Sequence, residues 1–204
     1  MNKIGLALFF SVLIWSGINP KDYLTWLLEI TPAIVAFMVL MATRSRFPLT
    51  GLAYGLLLFL CLILMIGGHY TYAEVPLFDW FKQVFKLDRN NFDKLGHFAQ
   101  GFVPAIISRE IIIRNEVLKN SQWLNFFVIC ICLAISAFYE LIEWTVAILI
   151  NEAADAFLGT QGYIWDTQSD MAFALLGAIL ALTTLHNVHD RQINQLNRYK
   201  LSDK

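Results

Sequence analysis

The sequence predicts an all-α polytopic membrane protein, a bundle of about six transmembrane helices with one short interfacial helix. Three observations carry that expectation. Of the 204 residues, 57% are hydrophobic and only 15% charged, and the mean hydropathy is +0.56, well outside ordinary globular usage. Apolar runs close to the roughly 20 residues needed to cross a bilayer core recur along the chain. The few ionisable residues within those runs fall toward matching depths. A formal net charge of -1 leaves no large basic surface, so no nucleic-acid partner is expected. Cys61, Cys130 and Cys132 all lie in apolar runs; an odd set without zinc-site spacing reads as packing residues.

The candidate spans are residues 4–18, 24–42, 49–68, 92–113, 123–150 and 170–185. The first is short and follows Lys3, as a signal peptide would. No small-x-small cleavage site precedes Asn19-Pro20, and the hydrophobic chain resumes at once, so its retention is expected. The last becomes a full crossing when extended back to Asp166; five crossings is the nearest alternative to six. Between the third and fourth spans, Pro76 is placed to begin a helix. Leu77, Trp80, Phe81 and Val84 form an apolar stripe on it, with Asp79, Lys82, Gln83 and Lys86 largely elsewhere, as in an interfacial amphipathic helix. Gly51 and Gly55 form a GxxxG in the third span and predict a close helix contact. The whole reads as one transmembrane domain, residues 1–190, followed by a polar tail, 191–204.

Orientation follows from lysine and arginine. With the N-terminus inside, the cytoplasmic segments hold ten of them and the outer segments five (Lys21, Lys82, Lys86, Arg89 and Lys94). Residues 151–165 have no Lys or Arg but carry Glu152 and Asp155. Both termini are therefore expected in the cytoplasm. This topology puts Glu29, His69, Asp93, His97, Glu140, Glu143, Asp166 and Asp170 toward the outer side, while the inner half offers little beyond Arg109 and Glu110. His186 and His189 are expected to be solvated in the tail.

Ionisable groups in a membrane are costly and usually mark a functional site. Glu140 and Glu143 share a helix face, as do His97 and Gln100; Asp166 and Asp170 share one if a helix begins near Asp166. Two carboxylates on one face of an apolar helix need a cation, a proton or a basic partner, and Lys94 and Arg89 are at hand either for that or for a phosphate. His97, Glu140, Glu143 and Asp170 are candidate ligands of a divalent metal, which would activate water or clamp a phosphate, with Glu143 or Glu140 as catalytic general base. Asp93, Lys94, Gln100 and Asp166 are candidate ligand-binding residues around it. The plainer readings are that Asp93 and Asp166 cap their helices, that His97 only hydrogen-bonds Asp93, and that the whole is a structural network.

The segments NFDKLGHFAQGFVPAIISREIIIRNEVL (91–118), YELIEWTVA (139–147) and AFLGTQGYIWDTQSDMAFALLGA (156–178) resemble the YjdF family of small bacterial inner-membrane proteins, a domain of unknown function. GGHYTYAEVPLFDW (67–80) fits as well. The opening Asp93-Lys-Leu-Gly-His97 is more distantly similar to VanZ-like membrane proteins. The resemblance implies a multi-pass inner-membrane protein and carries over no catalytic residues. HExxH, GxSxG and phosphate-cradling glycine loops are absent, so the sequence leaves open whether the protein is an enzyme. The reading that ranks first is a membrane protein binding a lipid or lipid-linked ligand at a polar outer site. A metal-dependent or acid–base enzyme acting on lipid comes next, and an ion or proton transporter third. A second copy of the chain remains open as a partner.

Overall fold

A computed structural model describes residues 3–118, 121–150 and 160–202. The outer connection expected over residues 151–165, with Glu152 and Asp155, lies mostly outside them. The described residues form eight α-helices: α1 (Lys3–Ser16), α2 (Tyr23–Thr43), α3 (Gly51–His69), α4 (Pro76–Phe85), α5 (Phe92–Arg114), α6 (Leu124–Ile150), α7 (Asp166–Thr184) and α8 (His186–Ser202). No strand occurs among them.

Local chemistry sets the boundaries. The Asp22 carboxylate accepts from Thr25 N at 2.7 Å and caps α2; Thr50 caps α3 in the same way. Pro76 opens α4 at the position where its missing N–H costs nothing, and Lys86 ends that helix in the left-handed region. Asn91, not Asp93, occupies the N-cap position of α5, and Trp165, not Asp166, that of α7. The capping reading of both aspartates therefore falls, because each side chain begins inside its helix and is free to pair elsewhere.

On length and hydropathy alone, α2, α3 and residues 124–149 of α6 suffice to cross a membrane. The pair α7–α8, bent by 64°, makes a fourth if it is one span. Helix α1 is apolar but short. The interior of α5 is interrupted by ionisable side chains, and its core-facing residues are shielded by its neighbours α3, α6 and α7. Large side chains such as Val35, Met38, Phe59, Phe138, Trp144 and Leu149 point outward in numbers that water would not tolerate on a monomer. On α4 the stripe of Leu77, Trp80 and Val84 is likewise exposed, as expected of a helix lying at an interface.

Helix α3 connects two packing units. On one side Phe9, Ile30, Ala33, Cys61 and Met65 join α1, α2 and α3. On the other, Ala53, Ile106, Val128, Cys132 and Ala178 join α3, α5, α6 and α7. Helix α1 packs chiefly on α3, at the periphery. The GxxxG contact is not formed: a Cβ on Gly55 would meet nothing within 4 Å, and one on Gly51 would meet only Gln192. The tight approach is between α5 and α7, where a Cβ on Gly101 would strike the backbone of Ala174 and one on Gly177 that of Phe98 and Phe102. Gly101 with Ala105 and Gly177 with Ala181 have small-residue spacing of this kind on each helix, a weaker signal than the GxxxG of the third span.

The end of the bundle holding the C-terminus of α5 is more polar than expected. Glu110 is fully buried and accepts from Thr50 N at 2.9 Å, Thr50 Oγ1 at 2.7 Å and Arg114 Nη1 at 2.6 Å. His189, expected in solvent, is also fully buried. Its Nδ1 faces Arg109 Nη1 at 3.2 Å and its Nε2 faces Glu110 at 3.1 Å. An arginine only donates, so Nδ1 accepts and Nε2 carries the proton. Arg109 also pairs with Asp190 at 2.8 Å. The isolated charges of α5 and the tail thus pair with one another, leaving Arg109 Nε without a hydrogen bond among the described residues. Beyond residue 190 the helix continues to touch the bundle, through buried Ile193 and through Gln192, which accepts from Leu52 N at 2.8 Å.

Candidate functional site

The opposite end of the bundle gathers the carboxylates. Helices α5 and α7 run side by side in the same direction. One turn before the Gly101–Ala174 approach stand His97 on α5 and Asp170 on α7, so the glycine contact sets how close those two side chains come. His97 Nε2 lies 3.4 Å from Asp93 Oδ1 and 3.9 Å from Asp170 Oδ1. Its Nδ1 lies 3.0 Å from Gln100 Oε1 and 3.8 Å from Glu140 Oε1. Lys94 Nζ donates to Asp170 at 2.5 Å and to Asp166 at 2.6 Å, and stands 3.5 Å from Asp93. Arg89 pairs with Asp166 and, at 3.6 Å, with Asp93.

Four expected site residues, His97, Glu140, Asp170 and Asp93, therefore meet, but not in the expected arrangement. Asp93, expected at the rim, is central, because the N-cap lies two residues earlier, at Asn91, and the aspartate is inside the first turn. The compact group whose ligand atoms all lie within 4.8 Å of one another is Asp93, His97 and Asp170. Glu140 borders His97 on the other ring nitrogen. Glu143 lies farther along α6, lining a cavity of about 170 Å³ with Glu29, Tyr72, Tyr139, His97 and Gln100. The basic residues serve the aspartates rather than the glutamates, for Arg89 and Lys94 enter from the α4–α5 side, across the site from α6.

The cavity has its own chemistry. Tyr139 donates to Glu29 Oε2 at 3.1 Å, a pairing across 110 residues. Pro32 and Pro104 also line it. Each sits inside a helix without an N–H, which releases the carbonyl four residues earlier, at Leu28 and Gln100. Tyr72 adopts φ +56°, a region that side chains seldom occupy. Its ring packs against Gly67 and Gly96, where a Cβ would collide with it, and burial pushes its phenol well above the ordinary range. Lys21, exposed beside Glu74 at 2.8 Å, is held above its usual range by that carboxylate.

Outside the carboxylate group runs a larger groove of about 930 Å³ between α4, α5 and α7. Arg89, Lys94 and Tyr163 border one part of it, and Leu95, Phe98, Phe173 and Leu176 its apolar wall. Both cations stack near the Tyr163 ring, at 5.7 and 5.8 Å from its centre. Asn90, fully buried, fastens this region. Its side chain donates to Val75 O at 3.1 Å and Asp79 at 2.8 Å and accepts from Phe92 N at 3.1 Å. Its backbone exchanges two hydrogen bonds with the Gln161 side chain. Sequence reasoning passed over Asn90; its only signal is a place directly before the charged opening of α5.

Charge balance constrains what this end of the bundle does. Among the described residues, Glu29, Asp93, Glu140, Glu143, Asp166 and Asp170 face two fixed cations, Arg89 and Lys94, and His97, whose imidazole carries a charge when protonated. So many buried carboxylates cannot all be ionised at once without a further cation; otherwise some of them hold protons.

Comparison with known proteins agrees with the sequence. A family model described as "Predicted membrane protein (DUF2238)" matches residues 1–191. The chain is 50% identical over 184 residues to the inner membrane protein YjdF of Escherichia coli (strain K12), which covers 90% of this chain and 88% of that protein. No solved structure matches. A motif-bearing C-terminal half, an all-helical bundle and this family match lead to one conclusion: the chain belongs to the DUF2238 family of predicted membrane proteins.

Proposed function

We propose that this protein is a multi-pass inner-membrane protein that binds a phospholipid or lipid-linked ligand in the groove between α4, α5 and α7, with its polar head against Arg89, Lys94 and the aspartates. The observation that carries the reading is the division of the groove walls, with cations and Tyr163 in one part and Leu95, Phe98, Phe173 and Leu176 in the rest. An apolar trough leading from a charged corner suits an acyl chain with a phosphate at its head. Asp93, Asp166 and Asp170 outnumber the two cations there, which disfavours a purely anionic head. A head with both a phosphate and N–H or O–H donors satisfies both signs of charge.

Phosphatidylethanolamine and phosphatidylcholine separate this from general lipid adhesion, since they differ by three N-methyl groups that abolish donation. Native mass spectrometry of the purified protein should show one retained phosphatidylethanolamine, displaced at least tenfold less readily than phosphatidylcholine. Arg89→Gln should weaken retention of both lipids, since the phosphate is common to them. Equal retention of both lipids refutes the reading.

The same reading places both termini in the cytoplasm and the site toward the outer face, on the ten-to-five bias of lysine and arginine. An alkaline-phosphatase fusion at the C-terminus should be inactive; activity reverses the orientation. A second reading, chemistry on the bound lipid, draws support from His97 lying between Asp93, Asp170 and Glu140. It predicts that Glu143→Gln abolishes turnover without loss of lipid retention. Transport ranks third, because the apolar layer of Ile106, Val128, Cys132 and Ala178 separates the two polar clusters.

A further inference from the structure

We propose that Asp93, His97 and Asp170 form a binding site for a divalent transition-metal ion, and that Lys94 is the built-in cation that the metal displaces from Asp170. The inference does not depend on lipid binding. It begins with the imidazole. His97 Nδ1 faces two acceptors, Gln100 Oε1 at 3.0 Å and Glu140 Oε1 at 3.8 Å, and Nε2 faces two more, Asp93 and Asp170, so without a metal each nitrogen has an acceptor for a proton. A metal ion would take the place of the Nε2 proton, between Asp93 and Asp170. An imidazole nitrogen and two carboxylates converging on one point share affinity for a cation, whether a proton or a metal ion. Metal-bound histidines are held in this way, with the other ring N–H donated to a neighbouring oxygen.

The dimensions fit. A tetrahedral site with bonds of about 2.0–2.1 Å has edges of about 3.3–3.4 Å, and His97 Nε2 is 3.4 Å from Asp93 Oδ1. The distance to Asp170 Oδ1 is 3.9 Å, so that carboxylate must move inward by about 0.5 Å to complete the edge. Lys94 holds it back at 2.5 Å. When a metal takes Asp170, Lys94 keeps Asp166, its partner at 2.6 Å, and no charge is stranded. Beside this group, Glu140 is 92% buried by its 8% exposure, and its Oε1 accepts no hydrogen bond among the described residues while aimed at His97. A proton-bearing imidazole polarised by a bound metal is the partner it lacks. One imidazole with two carboxylates suits zinc, manganese or iron(II) rather than calcium or magnesium.

The test uses the full-length protein in detergent, stripped with chelator and titrated separately with ZnCl₂ and MnCl₂. One ion per chain at micromolar affinity is expected, weakened at least fiftyfold by His97→Gln and by Asp170→Asn in protein that still elutes as a single species. Lys94→Met should tighten binding about tenfold, since it removes the competing cation; a structural ion-pair network predicts no gain. If any variant fails to fold, the wild type suffices: bound Mn²⁺ should show hyperfine coupling to one histidine nitrogen. Absence of stoichiometric binding, binding unchanged in both ligand variants, or manganese without nitrogen coupling overturns the proposal.

Discussion

Replacing Gly101 by alanine tests the feature on which the site's geometry rests. The new Cβ would lie 2.5 Å from the Ala174 carbonyl carbon and 2.8 Å from its Cα, whereas ordinary contacts fall at 3.4–4 Å. The nearest obstacle, the Ala174 carbonyl oxygen, is closer still and is backbone, which has no rotamer to change, so α5 and α7 must part by considerably more than about 1 Å or shift along each other. Lys94–Asp170, now 2.5 Å, would open past the limit of hydrogen bonding, near 3.5 Å. His97 and Asp170 would lose contact altogether. Overpacking of this kind costs about 1–3 kcal/mol, and partial loss of a buried ion pair adds to it, giving roughly 2–4 kcal/mol in all. For a chain of this size each kcal/mol shifts Tm by about 2–4 °C, so a fall of about 4–16 °C is expected by thiol-reactive dye melting in detergent. Gly55→Ala is the control. Its Cβ meets nothing within 4 Å, and alanine is the better helix former by about 1 kcal/mol, so its Tm should hold or rise. Equal melting of the two variants would refute the close-approach reasoning.

Three further outcomes follow from hydrogen bonding. Asn90→Ala removes three side-chain bonds at once and should cost about 2–4 kcal/mol, with faster hydrogen exchange in α4 and in residues 160–165 before the rest of the chain. His189→Ala leaves Arg109 and Glu110 each short of a buried partner; a loss of about 2–4 kcal/mol is expected, with exchange rising first along α8, and uniform exchange would refute its locking role. Tyr139→Phe takes one donor from Glu29 and should cost only about 1–2 kcal/mol. A Tm change exceeding that of Asn90→Ala would contradict the ranking.

Much of the fold was legible because hydropathy acts residue by residue. Spans, the α4 helix and the matching depth of Glu29, His97, Glu140 and Asp170 all follow from apolar runs of known rise per residue. Pairs on one helix, such as His97 with Gln100, follow from the same periodicity. What the sequence withholds is which faces meet. Gly51 and Gly55 have the spacing of a contact motif but face open space, while Gly101 and Gly177 form the contact from two different helices. Asp93 looked peripheral because the N-cap falls at Asn91, two residues earlier than the aspartate itself suggests. His189 looked solvated and Glu110 isolated, since nothing local reveals that partners 79 residues apart will bury each other. The Tyr139–Glu29 pair is hidden for the same reason.

The most direct test of the proposed ligand site is photocrosslinking with a diazirine-bearing phosphatidylethanolamine in nanodiscs, with adducts mapped by peptide mass spectrometry. Labelling should concentrate on Phe98, Phe173 and Leu176, the apolar wall below Arg89 and Lys94, and should fall at least fivefold in Arg89→Gln while labelling of Phe59 and Phe138 on the outer belt is unchanged. Even labelling around the bundle, insensitive to Arg89, would contradict a lipid site in the groove.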